Sequence, residues 1–428
     1  MSFGLAVRRA SLIARFACRH PCRLLTTPVP ALLMDRRLSR WRKQGFKILI
    51  VSIDDAGYLP FVLPFWRRLP DGFEKKVKIF VTGRPLALAE IAEAFTSVQP
   101  APAGYFSNWA TSLIRNYDLF LTTHQSAIAP IFGNNPRVCT FHGLPAKGGT
   151  FVERQWRFLD GAFGIGPLQK RLFEDFYNSS AVDRALWYLD VGYPKSDALV
   201  NGLYHRNEIL ADLELDPETK TVLYAPSWEK GTSLYTHGQE IATQLLAQHL
   251  NVIVKLHPMS YYPVSEKAAT GGINWGRAFD HLESAPRFRH IKGGDVTPLV
   301  AATDILVTDV SSVAFEGVLA DRPIIFFDTP DFFDHVVPGM YDVTPEQARS
   351  DVRYNCGRDA GLVVKTMEEL LDAVRRFCAD PSLLEKARST ISAQLLFNPG
   401  RSSQVTADAI CELLQLGSDI PTGGRTPI

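Results

Sequence analysis

Short runs of consecutive apolar residues, each closed by polar or glycine-bearing turns, recur through most of the 428-residue chain. In the first part they fall at 47–53, 77–81, 118–122, 137–141 and 161–165. Stretches with helical spacing separate them, up to residue 69, at 87–95 and at 168–176. Apolar runs this short and continuous predict strands buried on both faces, as in a parallel sheet covered by helices. Glycine and proline interrupt the series at Gly192-Tyr193-Pro194, and a polar helix is expected at 205–215. A second series follows, with strands predicted at 221–224, 252–255, 288–291, 305–307, 324–327 and 362–364. Helices are predicted at 238–248, 367–379 and 383–396. The expected order is an arm (1–44), a first α/β domain (45–190), a link (191–215), a second α/β domain (216–396), and a terminal helix with a loose tail (397–428). Two such domains would face each other across a cleft at the ends of their strands.

Polar residues gather where these runs end. Thr308-Asp309-Val310-Ser311-Ser312 joins a predicted strand to a helix reaching Ala320. Its hydroxyls and helix-start N–H groups suit either a helix cap or an anion. Val254-Lys255-Leu256-His257-Pro258 also ends a strand, and alternation would put Lys255 and His257 on one side while the strand persists. Both could neutralise a diphosphate. His142 enters the glycine- and proline-rich loop 143–149, where a neutral imidazole can take a proton from a hydroxyl and Lys147 can steady phosphate. Ser227, after the strand at 221–224, is a further candidate for phosphate, with Trp228 lining a groove. Asp309 and Glu316 are candidate nucleotide or alcohol contacts, and Glu316 could instead pair with a nearby base. The segment Tyr193-Pro194-Lys195-Ser196-Asp197 reads as a structural hinge.

Composition removes several classes. Formal net charge is only +1, so nothing supports global polyanion or nucleic-acid binding. The loop after the first strand, Asp54-Asp55-Ala56-Gly57-Tyr58, lacks the dinucleotide glycine fingerprint, which argues against a nicotinamide cofactor. The six cysteines are scattered and form neither a zinc pattern nor a disulfide framework. No tight ligand cluster calls for a metal. Charge is uneven, however. Residues 1–43 carry ten Arg or Lys against the single acid Asp35, mixed with apolar residues. The arm is too interrupted by charge to span a bilayer or to act as a secretory signal. It suits a basic amphipathic helix on an anionic membrane surface, with a transit peptide or a helix packed on the core as the other readings.

The ordered set His142-Gly143-Leu144-Pro145, Gly192-Tyr193-Pro194-Lys195-Ser196-Asp197, Tyr224-Ala225-Pro226-Ser227-Trp228, Lys255-Leu256-His257-Pro258 and Thr308-Asp309-Val310-Ser311-Ser312 resembles the CDP-glycerol glycerophosphotransferase family of teichoic-acid and capsule polymer enzymes. The resemblance covers roughly residues 138–364. It implies a GT-B architecture of two Rossmann-like domains. It also implies transfer of an alcohol-phosphate unit from a CDP-alcohol, most simply CDP-glycerol, to a hydroxyl of a lipid-linked saccharide or polymer, with release of CMP. Carried over by position, His142 resembles the general base and His257 the histidine that contacts donor phosphate. Ser311 and Ser312 resemble the hydroxyl pair that cradles the pyrophosphate, and Lys255 and Asp309 match neighbouring motif positions. The resemblance implies peripheral placement on the cytoplasmic face of a bacterial membrane. Two departures bear on which alcohol is presented. Gly143-Leu144-Pro145-Ala146-Lys147 lacks the threonine often found after the first histidine, and Glu316 replaces a frequent aspartate. A nucleotide-sugar glycosyltransferase of the same architecture is the competing enzymatic reading, and a polysaccharide-binding or assembly protein the non-enzymatic one.

Overall fold

The computed structural model describes residues 28–124, 128–144, 156, 158–179, 186–261, 263–416 and 426–427. The first sheet contains β1 (Lys47–Ser52), β2 (Val77–Gly83), β3 (Gly104–Ser107), β4 (Leu119–Thr122), β5 (Arg137–Cys139), β6 (Gly161–Gly164), β7 (Trp187–Asp190) and β14 (Thr426–Pro427). Its spatial order is β14-β7-β6-β5-β4-β1-β2-β3, and every pairing is parallel except β14 with β7. The second sheet contains β8 (Thr221–Tyr224), β9 (Asn251–Val254), β10 (Phe288–His290), β11 (Ile305–Thr308), β12 (Ile324–Phe327) and β13 (Leu362–Val364). Its order is β10-β9-β8-β11-β12-β13, parallel throughout.

The chain reverses its direction of travel across each sheet. In the first, β1 to β3 run outward one way and β4 to β7 the other; in the second, β8 to β10 and β11 to β13 do the same. The switch points lie between β1 and β4 and between β8 and β11. In open α/β sheets the connecting loops diverge at such points, which is where ligands bind, at the carboxyl ends of the strands. Strand composition explains the burial. Ile48, Leu49, Ile50 and Val51 in β1 are each at most 2% exposed. Burying each such side chain stabilises by about 1.5–3 kcal/mol, so a charge at Ile50 would break this layer.

Helix α1 (Pro28–Lys43) packs Ala31 and Leu38 against Ile48, Ile50 and Phe80. Its Val29, Leu32 and Leu33 are exposed, as are Arg36, Arg37 and Arg40. The first 27 residues of the basic arm lie outside the described residues. Among the described residues no helix is long and apolar enough to cross a membrane. Helix α2 (Leu59–Trp66) follows β1 and begins on Pro60 near its first turn, where a missing N–H costs nothing.

The last helix among the described residues, α3 (Ser402–Leu413), returns to the first sheet. Ala407, Ile410 and Leu414 are buried with Val51, Val62 and Phe65. The link residues hold this return. The Asp197 carboxylate accepts from Ser402 N at 3.0 Å and Ser403 N at 2.7 Å, satisfying donors at the helix start. Gly192 adopts φ 105°, and a Cβ there would meet Ser402 Oγ at 2.2 Å. Only glycine fits that close approach.

Candidate active site

Adjacent strands β1, β4 and β5 deliver Tyr58, His124 and His142 to one edge of the first sheet. The turn after β4 is tied by Thr122, whose hydroxyl donates to His124 O at 3.0 Å and accepts from His124 N at 3.2 Å. Phe141 buries its ring beside Trp156 and takes φ 58°, a left-handed conformation that redirects the chain just before His142. His142 Nδ1 lies 2.8 Å from Thr123 O. A carbonyl only accepts, so Nδ1 carries the proton and the neutral ring keeps its basic lone pair on Nε2. His124 stacks on this ring at 4.7 Å and 18°, while Tyr58 meets it edge-on at 5.1 Å and Phe61 at 6.2 Å. Burial, aided by the Arg84 charge, pushes the His124 pKa down to about 4.

The second sheet presents its candidates at the β8/β11 switch point. Asp309 is fully buried, and its carboxylate accepts from Ser227 N (2.8 Å), Ser233 N (3.0 Å), Ser233 Oγ (2.7 Å) and Val310 N (2.6 Å). Burial raises its pKa, and the four donors oppose that shift. Asp309 thus fastens the loop after β8 to the loop after β11. The Ser227 hydroxyl donates to Glu229. Ser311 and Ser312 are half-buried ahead of helix α4 (Val313–Leu319), which begins at Ser312 without a side-chain cap bond. Lys255 is 6% exposed, and burial lowers its pKa against the opposing charge of Asp295. His257 is exposed beside Trp228, with ring centroids 6.0 Å apart. Its Nδ1 accepts from Met259 N at 3.2 Å, which puts the neutral ring's proton on Nε2.

Between the sheets, Lys195 donates to Glu316 Oε1 at 2.7 Å and lies 2.9 Å from Asp295 Oδ1. Thr297 Oγ1 donates to Glu316 Oε2 at 2.6 Å. The Lys195 ammonium also sits 5.3 Å over the Phe61 ring, whose other neighbours include His142. Burial works against the charge, but the Glu316 and Asp295 carboxylates outweigh it and hold the Lys195 pKa well above its ordinary value.

Residues 165–412 match the family model of CDP-glycerol:poly(glycerophosphate) glycerophosphotransferases, more than half of the chain. The chain belongs to this family. Its teichoic acid relatives include the glycerol-phosphate primase of Bacillus spizizenii, 26% identical over 228 residues, covering 49% of this chain and 51% of the primase. The poly(glycerol phosphate) polymerase of the same organism is 29% identical over 276 residues, covering 57% of this chain and 61% of the polymerase. The chain thus spans about half the length of these curated relatives. The solved wall teichoic acid polymerase TagF superposes with a TM-score of 0.63 at 16% identity, over 96% of this chain and 98% of that one. A UDP-bound MnaA from S. aureus superposes at 0.53 with 15% identity, over 88% and 99%. These likenesses establish a GT-B-like fold of two Rossmann-like domains.

Within this glycerophosphotransferase-family chain, His257, Lys255, Ser227, Asp309, Ser311, Ser312 and Glu316 fall in the family match, and His142 precedes it. The structure places His142 at one sheet edge and Ser311 and Ser312 at the switch point of the other. Asp309 is held by protein groups on both carboxylate oxygens, and Glu316 makes the pairing with a nearby base that was its other reading, with Lys195 on Oε1 and Thr297 on Oε2. Strand β9 stops at Val254, so the alternation expected to align Lys255 with His257 does not extend to them; one is buried and the other exposed. Lys147 lies outside the described residues. Among the described residues no group of three His, Cys, Asp or Glu is arranged to hold a metal. The sequence reading missed the roles of His124, Asp295 and Thr297. For His124 a signal existed: it follows β4 as His142 follows β5, and those strands are neighbours.

Proposed function

We propose that this protein transfers the glycerol-phosphate unit of CDP-glycerol to a hydroxyl of a lipid-linked saccharide or growing teichoic-acid-type polymer, releasing CMP. Family membership supports the reaction class. The observation that carries the reading is the contrast between two histidines. The Thr123 carbonyl leaves His142 basic at Nε2, while the Met259 N–H leaves His257 a donor at Nε2. One ring suits proton removal and the other suits an oxyanion.

In this mechanism the acceptor oxygen attacks the phosphorus that bears glycerol. His142 takes the hydroxyl proton as the new P–O bond forms. The bond to the bridging oxygen breaks in line, and its electrons leave with CMP. His257, Ser311 and Ser312 donate to the phosphate oxygens, and Lys255 supplies positive charge behind them. Asp309 acts at one remove, by holding the loops that carry Ser227 and Ser311. No covalent enzyme intermediate is required.

The acceptor of such a reaction is bound to lipid, and α1 fits a membrane location in the cell envelope. Its exposed Val29, Leu32 and Leu33 lie among exposed arginines, the composition of a helix that settles on anionic headgroups. Binding to phosphatidylglycerol vesicles should fall when Leu32 and Leu33 are replaced by Ser. Unchanged binding would remove this location from the reading.

The reaction is tested by supplying CDP-glycerol, CDP-ribitol and UDP-sugars with a hydroxyl-bearing glycolipid. CMP release with donor phosphorus retained in the product is expected with CDP-glycerol. UDP release with sugar alone transferred would overturn the reading. His142→Ala should lower kcat by about 10²–10⁴-fold, the range of general base catalysis.

A further inference from the structure

The imidazole of His142 is restrained from two directions by one short loop. Thr123 supplies the carbonyl that holds Nδ1 at 2.8 Å, and the next residue, His124, lies flat against the ring at 4.7 Å and 18°. The loop itself is fastened. Thr122 bonds both backbone groups of His124, and Thr140 N donates to Thr122 O at 2.7 Å, tying the ends of β4 and β5 together. A carbonyl bond alone leaves a ring free to pivot about its hydrogen bond. A second ring stacked on its face removes that freedom.

We propose that His124 is a positioning residue for His142, fixing the plane of the base so that its Nε2 lone pair keeps one direction. This rests on His142 acting as the base in the proposed reaction. Tyr58 completes the arrangement by packing edge-on to both rings, at 5.1 Å from His142 and 6.4 Å from His124. Among the groups that bear on His124 are His142 and Tyr58 by ring contact and Arg84 by charge, with Arg84 itself 3.9 Å from Asp54. A cationic His124 would repel the imidazolium that His142 becomes. Burial and Arg84 keep His124 uncharged down to about pH 4, so the stack carries one proton-accepting ring at neutral pH. Stacking on a neutral ring lets His142 gain its proton without that repulsion.

Three variants and two readouts test this. His124→Ala removes the stacked face, His124→Phe keeps a flat ring without nitrogen, and His142→Ala removes the base. Steady-state turnover of CDP-glycerol is followed across the pH range 5 to 9, and ¹⁵N imidazole spectra report the His142 tautomer independently of activity. His124→Ala should lower kcat by about 10- to 100-fold, the cost of a misplaced catalytic group, with KM for CDP-glycerol nearly unchanged. His142 should then lose its single Nδ1–H tautomer. His124→Phe should restore kcat, the acid limb of the profile and the tautomer. Parent-like kcat and spectra in His124→Ala would overturn the proposal. So would a His124→Phe protein that is folded yet as slow as His124→Ala, because the imidazole nitrogen would then be the required group. If the spectra respond as expected but CDP-glycerol is not a substrate, the reaction assignment fails and the positioning role stands.

Discussion

Lys195 Nζ and Glu316 Oε1 stand 2.7 Å apart in an environment where both side chains are 10% exposed or less. The lysine lies in the segment that runs from β7 of the first sheet to β8 of the second, and the glutamate in α4, the helix that Ser312 begins. The pair therefore ties the serine loop to the segment that carries Lys195, and Phe61 under the lysine extends the contact to the ring of His142. Breaking a buried pair by removing one partner leaves the other charge uncompensated, at a cost of about 3–5 kcal/mol. Lys195→Met should lower stability by that order in urea denaturation. Lys195→Met combined with Glu316→Gln should recover part of the loss. A single variant as stable as the parent would show that the pair does not anchor the helix.

Asp309 makes a different prediction. Its four donors come from two loops, so the carboxylate is a joint between the strand ends of β8 and β11. Asp309→Asn turns an NH₂ group toward one of those donors and leaves a buried N–H unpaired, which costs about 1–3 kcal/mol. The loops bearing Ser227 and Ser311 lose a common anchor. KM for CDP-glycerol should rise more than kcat falls. A direct substrate contact would instead lower donor affinity with no change in denaturation midpoint.

These two carboxylates also mark where sequence reasoning reaches its limit. Strands at 221–224, 324–327 and 362–364 coincide with their predicted bounds; in the first two, continuous runs leave little choice because both faces are buried, while 362–364 lies at the sheet margin with Val363 exposed. The β3 and β7 strands were not expected. Gly104-Tyr105-Phe106-Ser107 is short and begins on glycine, and Trp187-Tyr188-Leu189-Asp190 is only half-buried, so neither carries a core-strand pattern. The return of α3 to the first sheet rests on Asp197 meeting Ser402 and Ser403, a pairing of residues too distant in sequence for local pattern to reveal. The strand-end location of the candidate chemistry was legible, since polar residues directly after apolar runs must lie at sheet edges. That Glu316 could pair with a base was legible too, but which groups meet it was not, because Lys195 and Thr297 reach Glu316 only after the sheets are assembled.

Acidification should destabilise the fold in a defined window. His124 and His290 are each pushed from 6.5 down to about 4, chiefly by burial. Between those values the unfolded chain binds protons that the folded chain refuses. Stability is therefore fully present above pH 6.5 and declines as pH falls toward 4. Each group contributes up to about 3 kcal/mol to that decline. Denaturation midpoints measured from pH 7 to 4 should fall, and His124→Phe should flatten part of the slope. An unchanged slope in that variant would remove His124 as a source.

The serine pair offers the sharpest separation of binding from folding. Ser312 begins α4 without a side-chain cap bond, so its hydroxyl does not stabilise the helix in the way a capping serine would. In the proposed reaction it donates to a charged phosphate oxygen, as does Ser311. A hydrogen bond to a charged group is worth about 1.5–3 kcal/mol, or roughly 10- to 100-fold in affinity. Ser312→Ala should therefore weaken CDP-glycerol binding by that factor in calorimetry. Its unfolding free energy should change by no more than about 0.5 kcal/mol, as for substitutions that remove no structural contact. A loss of stability near 1 kcal/mol with donor affinity intact would be the signature of a helix cap. That result would return Ser312 to a structural role and leave the phosphate cradle to other residues.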